Sequence, residues 1–447
     1  MTYDGTMGRI VFHAQLKILS PLHIGCGSAD RSDLDVLVDD EQRPFIPATS
    51  FVGVLRHAIV LDPSDEAGHG ESLKEFWGFA KGDEGRQSCF ICEDLTCISP
   101  SPRITIRDGI RIDNKTGIVE PKGKFDYEIV EKGAVFDLAM EFSLRQGNAD
   151  FVKRMVAAIY NMLDKGRIKL GGKTNSGFGE IALIKDQSFL YSFDFSTKRD
   201  VYSWMTRRFL PENAILPETL GTPFEIRSKE FSMDVTLRIK NSLIIRSYSA
   251  DPKMPDATHI KSGDDWVLAG TSLKGAIRAR AERILNTLGK DQALLKDLFG
   301  YVDDKTRSKH AKKGRISVRE SVLPRYFAEL QARIKIDRFT GGTIESALFD
   351  TMPLFVNFQD KAAIVKVRIR DCKPCEAGLL LLVLKDLWAG DLAVGGEKNV
   401  GRGVFEGISA IIEFEDEQTV FEKSLNALPP EQKSRLENYV NALNLEN

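Results

Sequence analysis

Two segments far apart in the chain share one alternation of polar and apolar residues. Arg9–Ile18 (RIVFHAQLKI) and Met233–Ile239 (MDVTLRI) both read as strands with one buried face. A polar loop follows each. In the first half a short strand, Pro44-Phe45-Ile46, comes next. Thr49-Ser50 and Thr271-Ser272 then supply hydroxyls suited to capping a helix. Asp150–Leu163 and Glu376–Trp388 carry a helical reading, and a glycine-rich loop with a final strand closes each half. The order strand, helix, β-rich middle, helix, strand predicts an α+β fold of the ferredoxin-like (RRM-like) kind, with helices covering an antiparallel sheet.

The two halves are copies. Ala48-Thr49-Ser50 before FVGVLRHA returns as Gly270-Thr271-Ser272 before LKGAIRAR, displaced by 222 positions (Thr49 to Thr271). Phe76-Trp77-Gly78 returns as Leu298-Phe299-Gly300 at the same displacement. Ile112-Asp113-Asn114-Lys115-Thr116-Gly117 returns as Ile336-Asp337-Arg338-Phe339-Thr340-Gly341, and LGGKTNSGFGEI at 170–181 returns as VGGEKNVGRGVFEG at 394–407. Four landmarks in one order at nearly one displacement indicate tandem duplication. The period is too long for a solenoid. The expected division is a first domain at 1–190, a connector at 191–229 and a second domain at 230–447.

Composition is that of a folded protein, with 42% hydrophobic and 28% charged residues among 447. No apolar run is long enough to span a membrane; the longest, Ala377–Leu384, ends at Lys385 and Asp386. The start, MTYDGTMGRIVF, does not read as a secretory signal, so a cytoplasmic protein is expected. The net charge of −2 argues against a nonspecific nucleic-acid binder, but the charge is uneven. Residues 413–447 hold eight acids and three bases, whereas 303–338 hold eleven bases and five acids. Residues 101–124 hold six bases and three acids. Local positive charge of this kind suits phosphate.

These motifs, in this order and twice over, resemble the RAMP superfamily of CRISPR-associated proteins. The residues that carry the likeness are PFIPATSFVGVLR and WVLAGTSLKGAIRAR, the I-D-x-x-T-G turns, and the late G-G-x-x-x-x-G-x-G loops. The pattern is closest to the backbone subunits of type III effector complexes, and two copies in one chain look like the double subunits of type III-D variants. The resemblance implies a protein that holds guide RNA (crRNA) extended, beside other effector subunits, with a β-hairpin thumb inserted in each copy. It also implies an acid in the loop after the first strand that cuts target RNA with Mg2+ or Mn2+.

That catalytic and metal-binding role is carried onto Asp33 and Asp256, which lie 223 positions apart, with Asp35 and Asp251 as the alternatives. Such a carboxylate would bind the ion through water or orient the ribose 2′-OH. Copy two lacks the glycine-rich approach of copy one and reads Asp251-Pro-Lys-Met-Pro255 instead. Ser50 and Ser272 sit where helix starts would offer amides to phosphate, with Arg56, Lys274, Arg278 and Arg280 beside them. The glycine loops add Lys173, Lys398 and Arg402.

Gly172-Lys173-Thr174 mimics the end of a P-loop, but the residues after it read as a strand, which argues against nucleotide hydrolysis. The basic middles fit the thumbs, where Phe125 and Phe339 either stack on a displaced base or simply pack. The Cys89/Cys92 and Cys372/Cys375 pairs have metal-like spacing, but the first lies on a strand whose positions i and i+3 face opposite ways, and zinc is not expected. Two other functions compete: a guide-binding scaffold without nuclease activity, and a metal-independent guide-processing enzyme resting on His57, whose counterpart is Ala279.

Overall fold

The computed structural model describes residues 5–27, 30–61, 63–82, 84–226, 230–248, 253–302, 311–324, 326–356, 362–422 and 428–445. The first copy runs β1 (Thr6–Ile18), α1 (Ala48–Ala58), α2 (Pro63–Trp77), β2 (Phe90–Cys92), β3 (Leu95–Cys97), β4 (Ile104–Ile112), β5 (Val119–Val130), β6 (Val135–Arg145), α3 (Ala149–Asp164), β7 (Ile181–Asp194) and α4 (Lys198–Met205). Its sheet is ordered β7-β1-β6-β3, with β2 also on β6 and Phe45–Ile46 beyond β3. Every pair is antiparallel. This is the ferredoxin-like order, with the second strand split into β2 and β3.

The second copy runs β8 (Glu230–Ile239), α5 (Gly270–Leu288), α6 (Ala293–Phe299), β9 (Ile316–Val318), β10 (Gln331–Ile336), β11 (Thr343–Met352), β12 (Ala363–Arg370), α7 (Pro374–Ala389), β13 (Phe405–Phe414), β14 (Glu417–Glu422) and α8 (Pro430–Leu445). The sheet order β9-β12-β8-β13-β14 repeats the first, with β14 added at one edge. The hairpins β4–β5 and β10–β11 occupy matching places between the second and third sheet strands.

The alternation in β1 decides the layers. Ile10, Phe12, Ala14, Leu16 and Ile18 point to one core with α3, which buries Phe151, Val152, Met155, Val156, Ile159 and Leu163. Val11 points the other way and joins Tyr191 and Phe193, against which Phe209 and Trp204 of the segment after β7 pack. In the second copy Phe231, Met233, Val235 and Leu237 of β8 form the core with Leu379, Leu380 and Val383 of α7. Helix α7 is apolar nearly all round, and α8 covers the side turned away from the sheet. A Cβ on Gly378 would stand 2.1 Å from the Tyr439 carbonyl oxygen, so only glycine admits this crossing. Burying each large apolar side chain contributes about 1.5–3 kcal/mol.

By contacts the chain divides into two compact units. One holds residues 1–106, 127–174 and 178–227; the other holds 107–126, 175–177 and 228–447. The outer part of the first hairpin thus belongs to the second unit.

One local expectation is corrected. Helices α1 and α5 begin one or two residues before the hydroxyls, with Pro47 and Ala269 as caps and no side-chain cap bond. The Ala48 amide is met instead by Asp94 Oδ1 at 2.7 Å.

Candidate nucleic-acid interface

In the first unit the acid loop after β1 folds back on itself. Gly25 pairs with Val36 and Val38 with Pro44 as isolated bridges. Asp35 anchors it. Its Oδ2 accepts the amides of Asp30 and Arg31, and its Oδ1 accepts the amide and hydroxyl of Ser32. Burial would raise this carboxyl, but the bond from Asp30, the Ser32 hydroxyl and the other amides outweigh it and hold it down to about 2. Both oxygens accept hydrogen bonds within the loop and the side chain is buried, so Asp35 anchors the loop. Asp33, two residues earlier, is exposed on the same loop.

The glycine loop lies beside this loop. The Gly172 amide donates to the His23 carbonyl at 2.7 Å, and Gly179 donates to Pro21 at 2.8 Å. Gly171 has φ +76° and a Cβ there would stand 2.3 Å from the His23 carbonyl oxygen, which explains the glycine. A strand, β7, follows the loop, as expected for a loop that is not a P-loop. Lys173 itself has φ +55°, and its ammonium lies 4.0 Å from the centre of the Tyr127 ring. Burial lowers its pKa. In α1, Ser50 is half-buried at the third helical position, while Arg56 is exposed in the last turn.

The second unit repeats the glycine-loop backbone. Gly396 donates to Ile244 and Gly403 to Ser242, each at 2.8 Å, and Glu397 has φ +55° where Lys173 has the same value. The chemistry is reversed. Glu397 is met by Arg246 at 3.2 Å, Arg333 at 2.7 Å and Arg402 at 2.8 Å. Arg402 is buried and also donates to Ser242 Oγ at 2.7 Å and Gln331 Oε1 at 2.5 Å. Its charge is thus met within the fold. The same holds for Arg280, whose Nε meets Asp386 Oδ2 of α7 at 2.6 Å. Lys398 remains exposed on the loop.

Helix α5 carries the free positive charge. Ser272 is half-buried at its third position. Lys274 and Arg278 are one turn apart and share a face, and neither has a hydrogen bond or ion pair among the described residues. Burial, then repulsion from Arg278 and Lys313, pulls the Lys274 ammonium down to about 8. Among the described residues no acid is bonded to Lys274 or Arg278. Asp256 is exposed in the loop after β8, and its Oδ2 accepts the Asp350 amide of β11 at 2.9 Å. His259 beside it is buried and neutral: burial drives it to about 4, its Nδ1 accepts from Ile245 and its Nε2 donates to Val267. The alternative acid Asp251 and the bases Lys305, Arg307, Lys309 and Arg325 lie outside the described residues.

The hairpin tips match atom for atom. Asp113 Oδ1 accepts the amides of Lys115 and Thr116, and Asp337 Oδ1 accepts those of Phe339 and Thr340. Gly117 and Gly341 close the turns, both at φ +70°. Phe339 stands 99% exposed at its tip, whereas the Phe125 ring covers Gly109 across its hairpin and is a packing residue.

The RAMP superfamily model matches residues 15–182 and again 236–406, together well over half of the chain. The chain belongs to the RAMP superfamily. Its members are in general CRISPR-associated RNA-binding proteins, and the two matches coincide with the duplicated halves. No curated protein matches the chain. Among the described residues no helix of this RAMP protein is long and apolar enough to cross a membrane. Sequence reasoning missed Glu128, Tyr127 and the Glu397 cluster. A signal existed for the first: Phe125-Asp126 and Phe349-Asp350 align, yet Glu128 then faces Met352.

Proposed function

We propose that this RAMP protein is a guide (crRNA)-binding backbone subunit of a type III CRISPR effector, a cytoplasmic ribonucleoprotein, and that it cuts guide-paired target RNA with a divalent ion. The observation that carries the reading is the pair Lys274 and Arg278 on α5, neither of them bonded to an acid among the described residues, with Lys313 near enough to repel Lys274. Cations held together without an acid favour an anion, and a line of phosphates supplies it. Arg56 repeats Arg278 on α1, exposed and likewise without an ion pair among the described residues.

Each copy offers one exposed carboxylate for the cut, Asp33 or Asp256. No cluster of three or more His, Cys, Asp or Glu is assembled among the described residues. Mg2+ or Mn2+ would therefore take at most two protein ligands here and fill its other positions with water and phosphate oxygens, which suits a hard cation. When bound, the ion supplies charge neutralisation at the phosphate under attack. Asp33 would orient the ribose 2′-OH, and the loop around it supplies rigidity through Asp35.

One observation favours a purely structural role for the second copy. Asp256 is engaged by the Asp350 amide and so fastens its loop to the hairpin. A cleavage ladder on guide-matched RNA in the assembled complex tests the reading. Asp33→Ala removes one product and leaves assembly intact. Unchanged cutting in the Asp33→Ala, Asp256→Ala and double variants overturns the nuclease reading and leaves the scaffold.

A further inference from the structure

The acid loop of the first copy is fastened by one carboxylate from outside it. Glu128 lies near the end of β5, its side chain 5% exposed. Its Oε2 accepts the Val36 amide at 3.0 Å and meets Arg31 Nη2 at 3.1 Å. Its own amide donates to the Leu34 carbonyl at 3.0 Å. Its carbonyl accepts His23 Nδ1–H at 2.8 Å, and the His23 carbonyl in turn accepts the Gly172 amide. One residue thus grips Arg31, Leu34 and Val36, which bracket Asp33, and ties them to the glycine loop and the hairpin root.

At the position corresponding to Glu128 the second copy has Met352. A buried carboxylate is costly to desolvate, and an apolar residue of similar size often packs as well or better. Stability alone therefore does not account for Glu128. A fully bonded polar network does fix geometry.

We propose that Glu128 is a positioning residue that holds the Asp33 loop in register with the hairpin strand and so aims Asp33 at the target backbone. The proposal rests on the reading that Asp33 takes part in cutting.

The test uses the assembled, guide-loaded complex with Glu128→Met, the residue type of the second copy, and Glu128→Gln. Three quantities are read: the single-turnover rate of the Asp33-dependent product, target affinity, and hydrogen exchange of amides 30–36. Glu128→Met should slow the cut on the order of 100-fold through misplacement, leave affinity unchanged and raise exchange. Glu128→Gln should restore most of the rate, since its amide oxygen still accepts the Val36 amide. An unchanged rate or unchanged exchange in Glu128→Met overturns the proposal and leaves the nuclease reading standing. If the wild type gives no Asp33-dependent product while exchange still rises in Glu128→Met, the nuclease reading falls and takes the aiming role with it.

Discussion

The Arg107 guanidinium sets two nitrogens against the Glu320 carboxylate, at 2.6 and 3.4 Å, with both side chains about 95% shielded from water (5% and 6% exposed). The same guanidinium donates to the Lys261 carbonyl at 3.2 Å. Nearby, Asp108 accepts the Tyr248 amide, Lys124 lies over the Tyr248 ring and Asn114 donates to Glu282. The outer part of the β4–β5 hairpin is therefore anchored by charge as well as by backbone.

Removing one member of that pair leaves the other buried without a counter-charge. Arg107→Ala should cost about 3–5 kcal/mol. The double variant Arg107→Met/Glu320→Leu should recover most of it. Chemical unfolding with hydrogen exchange across residues 107–126 checks this; equal costs for the single and double variants would contradict the pairing.

Asp35 makes the acid loop sensitive to pH. Its carboxyl is held down from 3.8 to about 2 by hydrogen bonds that need the ionised form. The native carboxylate therefore holds its proton less tightly than the unfolded one. Its contribution is fully present above 3.8 and fades as pH falls through about 2. Loop amides 30–32 should lose protection over that window, and Asp35→Asn should abolish the pH dependence while opening the loop at neutral pH.

Phe339 should be irrelevant to folding. Being 99% exposed, its change to Ala should move stability by less than about 0.5 kcal/mol. On guide-paired target, an aromatic at a hairpin tip offers a base a surface to stack on. Phe339→Ala should therefore reduce the fluorescence of 2-aminopurine unstacked near the tip; an equal signal would assign the ring no role at RNA.

The glycine loops give an internal control. Gly171→Ala forces a side chain into positive φ and against the His23 carbonyl, and should cost at least about 2 kcal/mol. Gly275→Ala has open space around it within α5 and should instead stabilise by about 0.5–1 kcal/mol. Unfolding of the full chain reads both.

What was legible in the sequence follows from what leaves a repeated mark. The glycines at 171, 179, 395 and 403 are dictated by backbone conformation and survive in both copies, so the loops and the duplication could be read directly. The strand and helix order followed from alternation in β1 and β8. Pairing could not be read. Arg280 and Arg402 resemble Arg278 as letters, but Asp386 and Glu397, five or more residues away along the chain, neutralise the first two and not the third. Phe125 and Phe339 likewise differ only in what lies across the hairpin: a glycine under one ring and water around the other. Glu128 was hidden because its partners, Arg31 and Val36, lie more than ninety residues upstream.

Guide-RNA affinity measured against salt tests the central claim most directly. Each phosphate contact that is lost lowers the slope of log K against log salt by about 0.7–0.9. Lys274→Ala/Arg278→Ala should weaken binding and flatten that slope by about two such steps, and Arg56→Ala by one, whereas Arg280→Ala and Arg402→Ala should alter stability and leave the slope alone. A wild-type slope in the Lys274/Arg278 double variant would contradict the claim that these cations face the guide.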